Sequence, residues 1–274
     1  MDLEYEYMTG QRRDSFPALL AAFAQESADA VTRLSPELDV VYGPHPRQRF
    51  DLFLPQGRKP RAVVIYYHAG YWQSRDKADF RFLASAYVDA GLAFAPVNYP
   101  LCPDVTLDEL LVAVEPSVDA VIARLRDQLR EVPPVILMGH SAGAHIAVKL
   151  ARHPAVAGIV GISGVYELAP LIPTSLNANL RLDEAAAARN SVHEGVASAM
   201  PPAIFVVGGD ETPEFIRQTK VMHDAWRRAG NRAELFMADN DNHFSVLRTL
   251  CRPDTWLHEA ITTLATRTAC PEAK

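Results

Sequence analysis

One serine of the chain stands where its hydroxyl could act as a nucleophile. Ser141 is the central residue of the stretch GHSAG at 139–143, which follows the apolar run Val135 to Met138 and precedes a helical segment. A serine hydroxyl is a poor nucleophile at its ordinary pKa, so it must be exposed on a sharp strand-to-helix turn where a base can reach it. The small residues around Ser141 permit such a turn. The pattern predicts a nucleophile, against the alternative of a glycine-bracketed turn with an idle serine.

The base that activates such a serine is expected later in the chain, in a loop after a strand. Of the nine histidines, His243 meets this condition, because it lies in the loop after the predicted strand Glu234 to Met237. His140 is next to the nucleophile but is expected to point elsewhere on the turn. The sequence therefore predicts His243 as the general base.

An acidic residue that orients the base is expected between Ser141 and His243 in the chain. Asp210 follows the predicted strand Ala203 to Val207, so its carboxylate is expected at the same sheet edge. Glu211 is the serious alternative, because it lies one residue further into the same loop. More distant alternatives are Glu214, Asp239 and Asp241. We favour Asp210 for this role.

The stretch HAGYW at 68–72 follows another predicted strand, Ala62 to Tyr67. Attack on a carbonyl places negative charge on its oxygen, and preorganised backbone N–H groups stabilise that charge. The candidates for this oxyanion hole are the amides of Gly70 and Tyr71, together with the amide of Ala142 at a helix N-terminus. Candidates for the substrate pocket are His68, Trp72 and Tyr166, although His68 is also suited to bracing the loop and aromatic side chains there are as often plain packing.

Short apolar runs alternate with helical segments along most of the chain, which is typical of a parallel sheet. We predict one α/β domain over 1–274 with the α/β-hydrolase fold: a mostly parallel central sheet, helices on both faces and a small cap segment. Residues 1–38 are predicted to form an N-terminal adapter with a helix from Ala18 to Arg33, and residues 164–201 the cap. Pro116 is expected to kink or split the helix that starts near Thr106.

Composition restricts the class of partner. The net charge of −6 argues against a nucleic-acid-binding protein, and no apolar run reaches the length of about 20 residues that spans a bilayer. The acidic start lacks the basic region of a signal peptide, so a soluble, cytoplasmic protein is expected. Cys102, Cys251 and Cys270 show no disulfide or zinc spacing, and no cofactor or metal motif is present. The expected partner is a small-molecule substrate, with a homo-oligomer left open.

Several stretches together resemble the kynurenine formamidase (arylformamidase) family. They are HAGYW at 68–72, GHSAGA at 139–144, GGDETPEF at 208–215 and DNHF at 241–244. RQRFDLFLP at 47–55 and TSLNANLRL at 174–182 extend the resemblance over most of the chain from about Tyr42. It implies Ser141 as nucleophile, Asp210 as acid and His243 as base. Ala69 departs from the family, which usually has a glycine there, and its methyl group restricts the loop.

The resemblance implies hydrolysis of an aryl formamide such as N-formylkynurenine to formate and the free arylamine. A second hypothesis keeps the same three residues but assigns a small carboxylic ester or thioester as substrate. A third is a catalytically silent member of the fold that binds a ligand or partner, since a fold alone does not fix a function.

Overall fold

The computed structural model describes residues 2–8, 13–129 and 131–267, so Cys270 lies outside the described part of the chain. Its centre is an eight-stranded sheet with the order β1-β2-β4-β3-β5-β6-β7-β8. The strands are β1 Glu37–Val41, β2 Arg49–Leu52, β3 Val63–Tyr67, β4 Ala93–Val97, β5 Val135–His140, β6 Val156–Ile162, β7 Ala203–Gly208 and β8 Ala233–Ala238. β1 pairs with β2, and β2 with β4, in antiparallel fashion, whereas the pairs from β4 to β8 are parallel.

Helices cover both faces of this sheet. They are α1 Leu3–Tyr7, α2 Phe16–Leu34, α3 Leu83–Asp89, α4 Leu107–Val114, α5 Pro116–Leu129, α6 Ala142–Lys149, α7 Asn177–Leu180, α8 Glu184–Asn190, α9 Pro213–Arg228, α10 Val246–Cys251 and α11 Trp256–Arg267. Successive strand residues point to opposite faces. In β3, Ile65 therefore packs in one core cluster with α4, α5, α6 and α9, and Val64 packs in the other with α2, α3, α10 and α11.

The predicted fold class is confirmed by this architecture. The inner strands are mostly apolar because both of their faces are covered, and every residue of β3, β4, β5 and β7 is buried. Pro116 splits the predicted helix as expected, since α4 ends at Val114 and α5 starts at Pro116. The first position of a helix tolerates proline because its N–H has no intrahelical partner there.

The predicted adapter and cap segments both contain helices. In residues 1–38, α2 is slightly longer than predicted, and the five-residue α1 precedes it. Residues 164–201 contain α7, α8 and a 3₁₀ turn at Ala169–Leu171. Within the three described ranges, no helix is both long and apolar enough to cross a membrane.

Candidate active site

Ser141 occupies a strained turn between β5 and α6. Its backbone has φ 56° and ψ −118°, a region that non-glycine residues rarely adopt. The turn requires glycine on both sides, because a Cβ at Gly139 would lie 2.0 Å from the carbonyl oxygen of Gly143, and one at Gly143 would lie 2.0 Å from that of Tyr67. The Ser141 amide also donates to the Ile162 carbonyl of β6 at 2.8 Å. The sheet and its glycines thus hold the predicted nucleophile in a fixed position.

His243 and Glu211 form a buried pair in the loops after β8 and β7. Nδ1 of His243 lies 2.7 Å from Oε2 of Glu211, and the two residues are only 3% and 6% exposed. The other carboxylate oxygen of Glu211 accepts hydrogen bonds from the Ser163 hydroxyl at 2.5 Å and from the Gly208 amide at 2.7 Å. The Phe215 ring packs 4.4 Å from the imidazole, centroid to centroid. This carboxylate fixes both the position and the tautomer of the imidazole, because Nδ1 must carry the proton that it donates.

The prediction that Asp210 orients the base is therefore wrong, and Glu211 takes its place. Asp210 is exposed, its amide donates to the Asp241 carbonyl at 2.9 Å, and its carbonyl accepts from Arg13 at 2.5 Å. β7 extends to Gly208, so Asp210 lies in the turn after the strand and its backbone pairs with the loop that carries His243. The next residue is the first whose side chain reaches back to the imidazole.

Three backbone amides at the predicted oxyanion hole have no hydrogen-bond acceptor within the described part of the chain. They are the N–H groups of Gly70, Tyr71 and Ala142. Gly70 has φ 125° and Tyr71 has φ 49°, and a Cβ at Gly70 would lie 2.2 Å from the Ser74 carbonyl oxygen. Backbone N–H groups that donate to no protein acceptor are free to stabilise a bound oxyanion.

His68 is buried at the start of this loop. Its ring stacks on Tyr99 with centroids 4.4 Å apart, and the Tyr99 hydroxyl donates to the His68 carbonyl at 2.7 Å. Nδ1 of His68 lies 2.7 Å from the Ala69 carbonyl. Burial lowers the pKa of His68 to about 4, so the side chain stays neutral. This placement fits the bracing role better than a role in the substrate pocket.

The other two pocket candidates are fully buried and keep an unpaired polar atom. The Trp72 ring meets His145 edge-on at 5.1 Å, and Tyr166 meets Phe205 edge-on at 5.9 Å. Among the described residues, neither the indole nitrogen of Trp72 nor the hydroxyl of Tyr166 has a hydrogen-bond partner. Contact of these side chains with substrate stays a prediction.

Two residues of the site were missed in the sequence. Ser163 directly follows β6, and the last residue of β6, Ile162, pairs with Val206 of β7. A serine at this strand end, next to the loop that carries Glu211, was the sequence signal that could have identified it. His140 was expected to point away, yet its Nε2 lies 2.7 Å from the His243 carbonyl oxygen. No cluster of three metal-ligating side chains occurs among residues 2–8, 13–129 and 131–267.

Comparison with known proteins places this geometry in a family. Residues 50–157 match the family model described as BD-FAE. The kynurenine formamidase of Danio rerio is 31% identical over 239 residues, which cover 82% of this chain and 80% of that protein. The chain belongs to the kynurenine formamidase family. The family member from Salmo salar is 29% identical over the same shares of the two chains.

A solved structure gives a second line of comparison for this kynurenine formamidase family member. The crystal structure of a "putative thioesterase" from Silicibacter sp. TM1040 superposes with a TM-score of 0.84 at 29% identity, covering 96% of this chain and 99% of that one. The chain is thus an α/β hydrolase, and the two relatives are named as a formamidase and as a putative thioesterase.

Proposed function

We propose that the protein hydrolyses a small aryl formamide, with N-formylkynurenine as the expected substrate. The name of the Danio rerio relative supports this substrate. A second support is the enclosure of the nucleophile, which differs from the exposure expected from the sequence: Ser141 is 1% exposed and Ala142 0%. So enclosed a site suits formyl, the smallest acyl group.

The first half of the proposed reaction forms an acyl-enzyme. The Ser141 hydroxyl oxygen attacks the formyl carbon while Nε2 of His243 accepts the hydroxyl proton. The oxygen of the tetrahedral intermediate is stabilised by the amides of Gly70, Tyr71 and Ala142. The C–N bond then breaks, and the imidazolium returns the proton to the departing arylamine nitrogen. Glu211 stabilises the imidazolium without itself accepting the proton.

The second half of the proposed reaction hydrolyses the acyl-enzyme and releases formate. A water molecule attacks the formyl ester on Ser141, His243 accepts a proton from it, and the proton returns to the serine oxygen as formate leaves. The products are formate and the free arylamine, and no cofactor is needed for either half.

The observation that carries this proposal is the 2.7 Å hydrogen bond between His243 and the buried carboxylate of Glu211. An imidazole held in this way by a buried carboxylate is the arrangement that a serine nucleophile requires. In a protein that only binds a ligand, this hydrogen bond between His243 and Glu211 would have no evident function.

The test compares kynurenine release from N-formylkynurenine by the wild type, by Ser141→Ala and by Ser198→Ala. Ser198 is an exposed serine and serves as the matched control. We expect Ser198→Ala to match the wild type, and Ser141→Ala to lose at least about 1000-fold in kcat. Kynurenine release that survives in Ser141→Ala would reject the proposal.

A second candidate is a small ester or thioester. The similarity of nearly the whole chain to the Silicibacter structure favours it. The same three residues would serve, because an ester or thioester is attacked in the same way and has a better leaving group. Serine-dependent turnover of small acyl thioesters, at a kcat/KM far above that for N-formylkynurenine, would select this alternative.

A further inference from the structure

His140 makes a contact that the proposed mechanism does not use. The residue directly precedes the nucleophile and is completely buried. Its Nε2 lies 2.7 Å from the carbonyl oxygen of His243, and the two imidazole rings have centroids 4.7 Å apart. Phe244 closes the other side, with its ring edge-on to His140 at 5.4 Å.

The His243 carbonyl oxygen fixes the tautomer of the His140 ring. A carbonyl oxygen only accepts hydrogen bonds, so Nε2 of His140 carries the proton and donates it. Nδ1 has no partner among the described residues. Burial, followed by the nearby His243, lowers the pKa of His140 well below its ordinary range, so the ring stays neutral at working pH.

Several hydrogen bonds hold the loop that carries the base to itself and to α10, among them those that the Asp241 carboxylate accepts from the hydroxyls of Ser245 and Thr249. The Asp241 carbonyl accepts from the Asp210 amide at 2.9 Å, and Glu211 holds the ring through Nδ1 alone. No hydrogen bond joins the Ser141 hydroxyl to His243 among the residues that the structure describes. Glu211 and Phe215 hold the ring, and the separation between serine and imidazole also depends on how the backbone of His243 is held.

We propose that His140 is a positioning residue that ties the backbone of the base to the nucleophile turn through its hydrogen bond to the His243 carbonyl. The proposal rests on the proposed roles of Ser141 and His243, and it holds for whichever acyl substrate the enzyme takes. Because His140 and Ser141 are consecutive, this bond links the backbone of the base directly to the nucleophile turn. A displacement of about 1 Å in such a pair can cost on the order of 100-fold in rate.

Two variants separate positioning from simple packing. His140→Leu removes the N–H donor and fills the buried site with an apolar side chain. His140→Gln retains an N–H donor that can reach the same carbonyl. We expect kcat to fall on the order of 100-fold in His140→Leu with KM changed less than about 3-fold, and His140→Gln to recover at least about 10-fold of that loss. Thermal unfolding of each variant reports whether it is folded.

The rate at which a fluorophosphonate labels Ser141 provides a readout that needs no natural substrate. We expect it to fall in His140→Leu and to recover in His140→Gln, in parallel with kcat. If His140→Leu does not fold, the wild type and His140→Gln are compared with His140→Asn, whose shorter amide cannot span the gap and should label as slowly as a donor-free variant.

The outcomes distinguish this proposal from the proposed function. A wild type that labels rapidly but leaves N-formylkynurenine intact would reject that substrate, while the labelling rates still test His140. Equal labelling rates in the folded wild type and donor-free variant, or a loss confined to KM, would overturn the positioning role.

Discussion

At the scale of single residues, the carboxylate of Glu211 determines how the imidazole is held. Its two oxygens accept hydrogen bonds from His243, Ser163 and the Gly208 amide, at 2.7, 2.5 and 2.7 Å. A buried carboxylate is costly unless such partners compensate the loss of water. Glu211 is therefore fixed in place, and it fixes the imidazole in turn.

The adjacent acidic residues provide a matched test of this assignment. Glu211→Gln keeps the shape but removes the charge that stabilises the imidazolium, so we expect kcat to fall at least about 100-fold. Asp210→Asn changes an exposed side chain, and we expect kcat to fall less than about 3-fold. The measurement is kcat/KM on one substrate for both variants. A large loss in Asp210→Asn with a small loss in Glu211→Gln would restore the original prediction.

The sequence predicted Ser141 and His243 because each belongs to a pattern with a fixed place after a strand. It could not choose between Asp210 and Glu211, since that choice depends on where β7 ends and on which amide the facing loop uses. The Asp210 amide donates to the Asp241 carbonyl, and these two residues are 31 positions apart in the sequence. Local patterns do not contain this information.

At the scale of elements, the N-terminal helix α1 contacts the active site. The Tyr7 ring lies 5.7 Å from Phe215, which itself packs on His243, and the Tyr71 hydroxyl donates to the Tyr7 carbonyl at 2.5 Å. The Tyr7 hydroxyl donates to Glu214 at 2.6 Å and accepts from Gln218 at 2.8 Å. Through these contacts α1 supports both the base and the oxyanion loop.

Substitution of Tyr7 should therefore affect both stability and activity. We expect Tyr7→Ala to destabilise the fold by about 3 kcal/mol and to lower kcat, because the support behind Phe215 is lost. Tyr7→Phe keeps the ring and should retain more of both properties. Tyr5→Ala is the control, since Tyr5 is 53% exposed on the same helix. Chemical denaturation and kcat check the prediction, and equal effects at both positions would contradict it.

The inner part of the sheet was predictable because its strands must be apolar on both faces. The five residues of α1 carry no comparable pattern. Such a short helix is unstable alone, and contacts with α9, some 200 residues later in the chain, hold it in place. Its role at the active site could not have been deduced from the segment itself.

At the scale of the whole molecule, three histidines buried near the catalytic loops make stability depend on pH. Burial lowers the pKa of His68 and of His145 to about 4, and that of His140 well below its ordinary range. These rings remain neutral in the folded protein but take up protons on unfolding once the pH falls below about 6.5. Since the unfolded state then binds more protons, stability decreases as the pH falls.

We expect the free energy of unfolding to be lower at about pH 5.5 than at about pH 7.5, by on the order of 1 kcal/mol for each of the three rings. Urea denaturation at about pH 7.5 and pH 5.5 measures this difference. His145→Gln removes one of the three groups and should reduce the loss by about a third. An unfolding free energy that is the same at both pH values would contradict the prediction.

The account depends most on Ser141 and His243 acting together as nucleophile and base, and active-site labelling tests this directly. The enzyme is treated with a fluorophosphonate, and the modified residue is identified by peptide mass mapping in the wild type and in His243→Ala. We predict a single label on Ser141 in the wild type and a loss of labelling in folded His243→Ala. A label on another residue, or labelling of Ser141 at the same rate without the imidazole, would contradict the account.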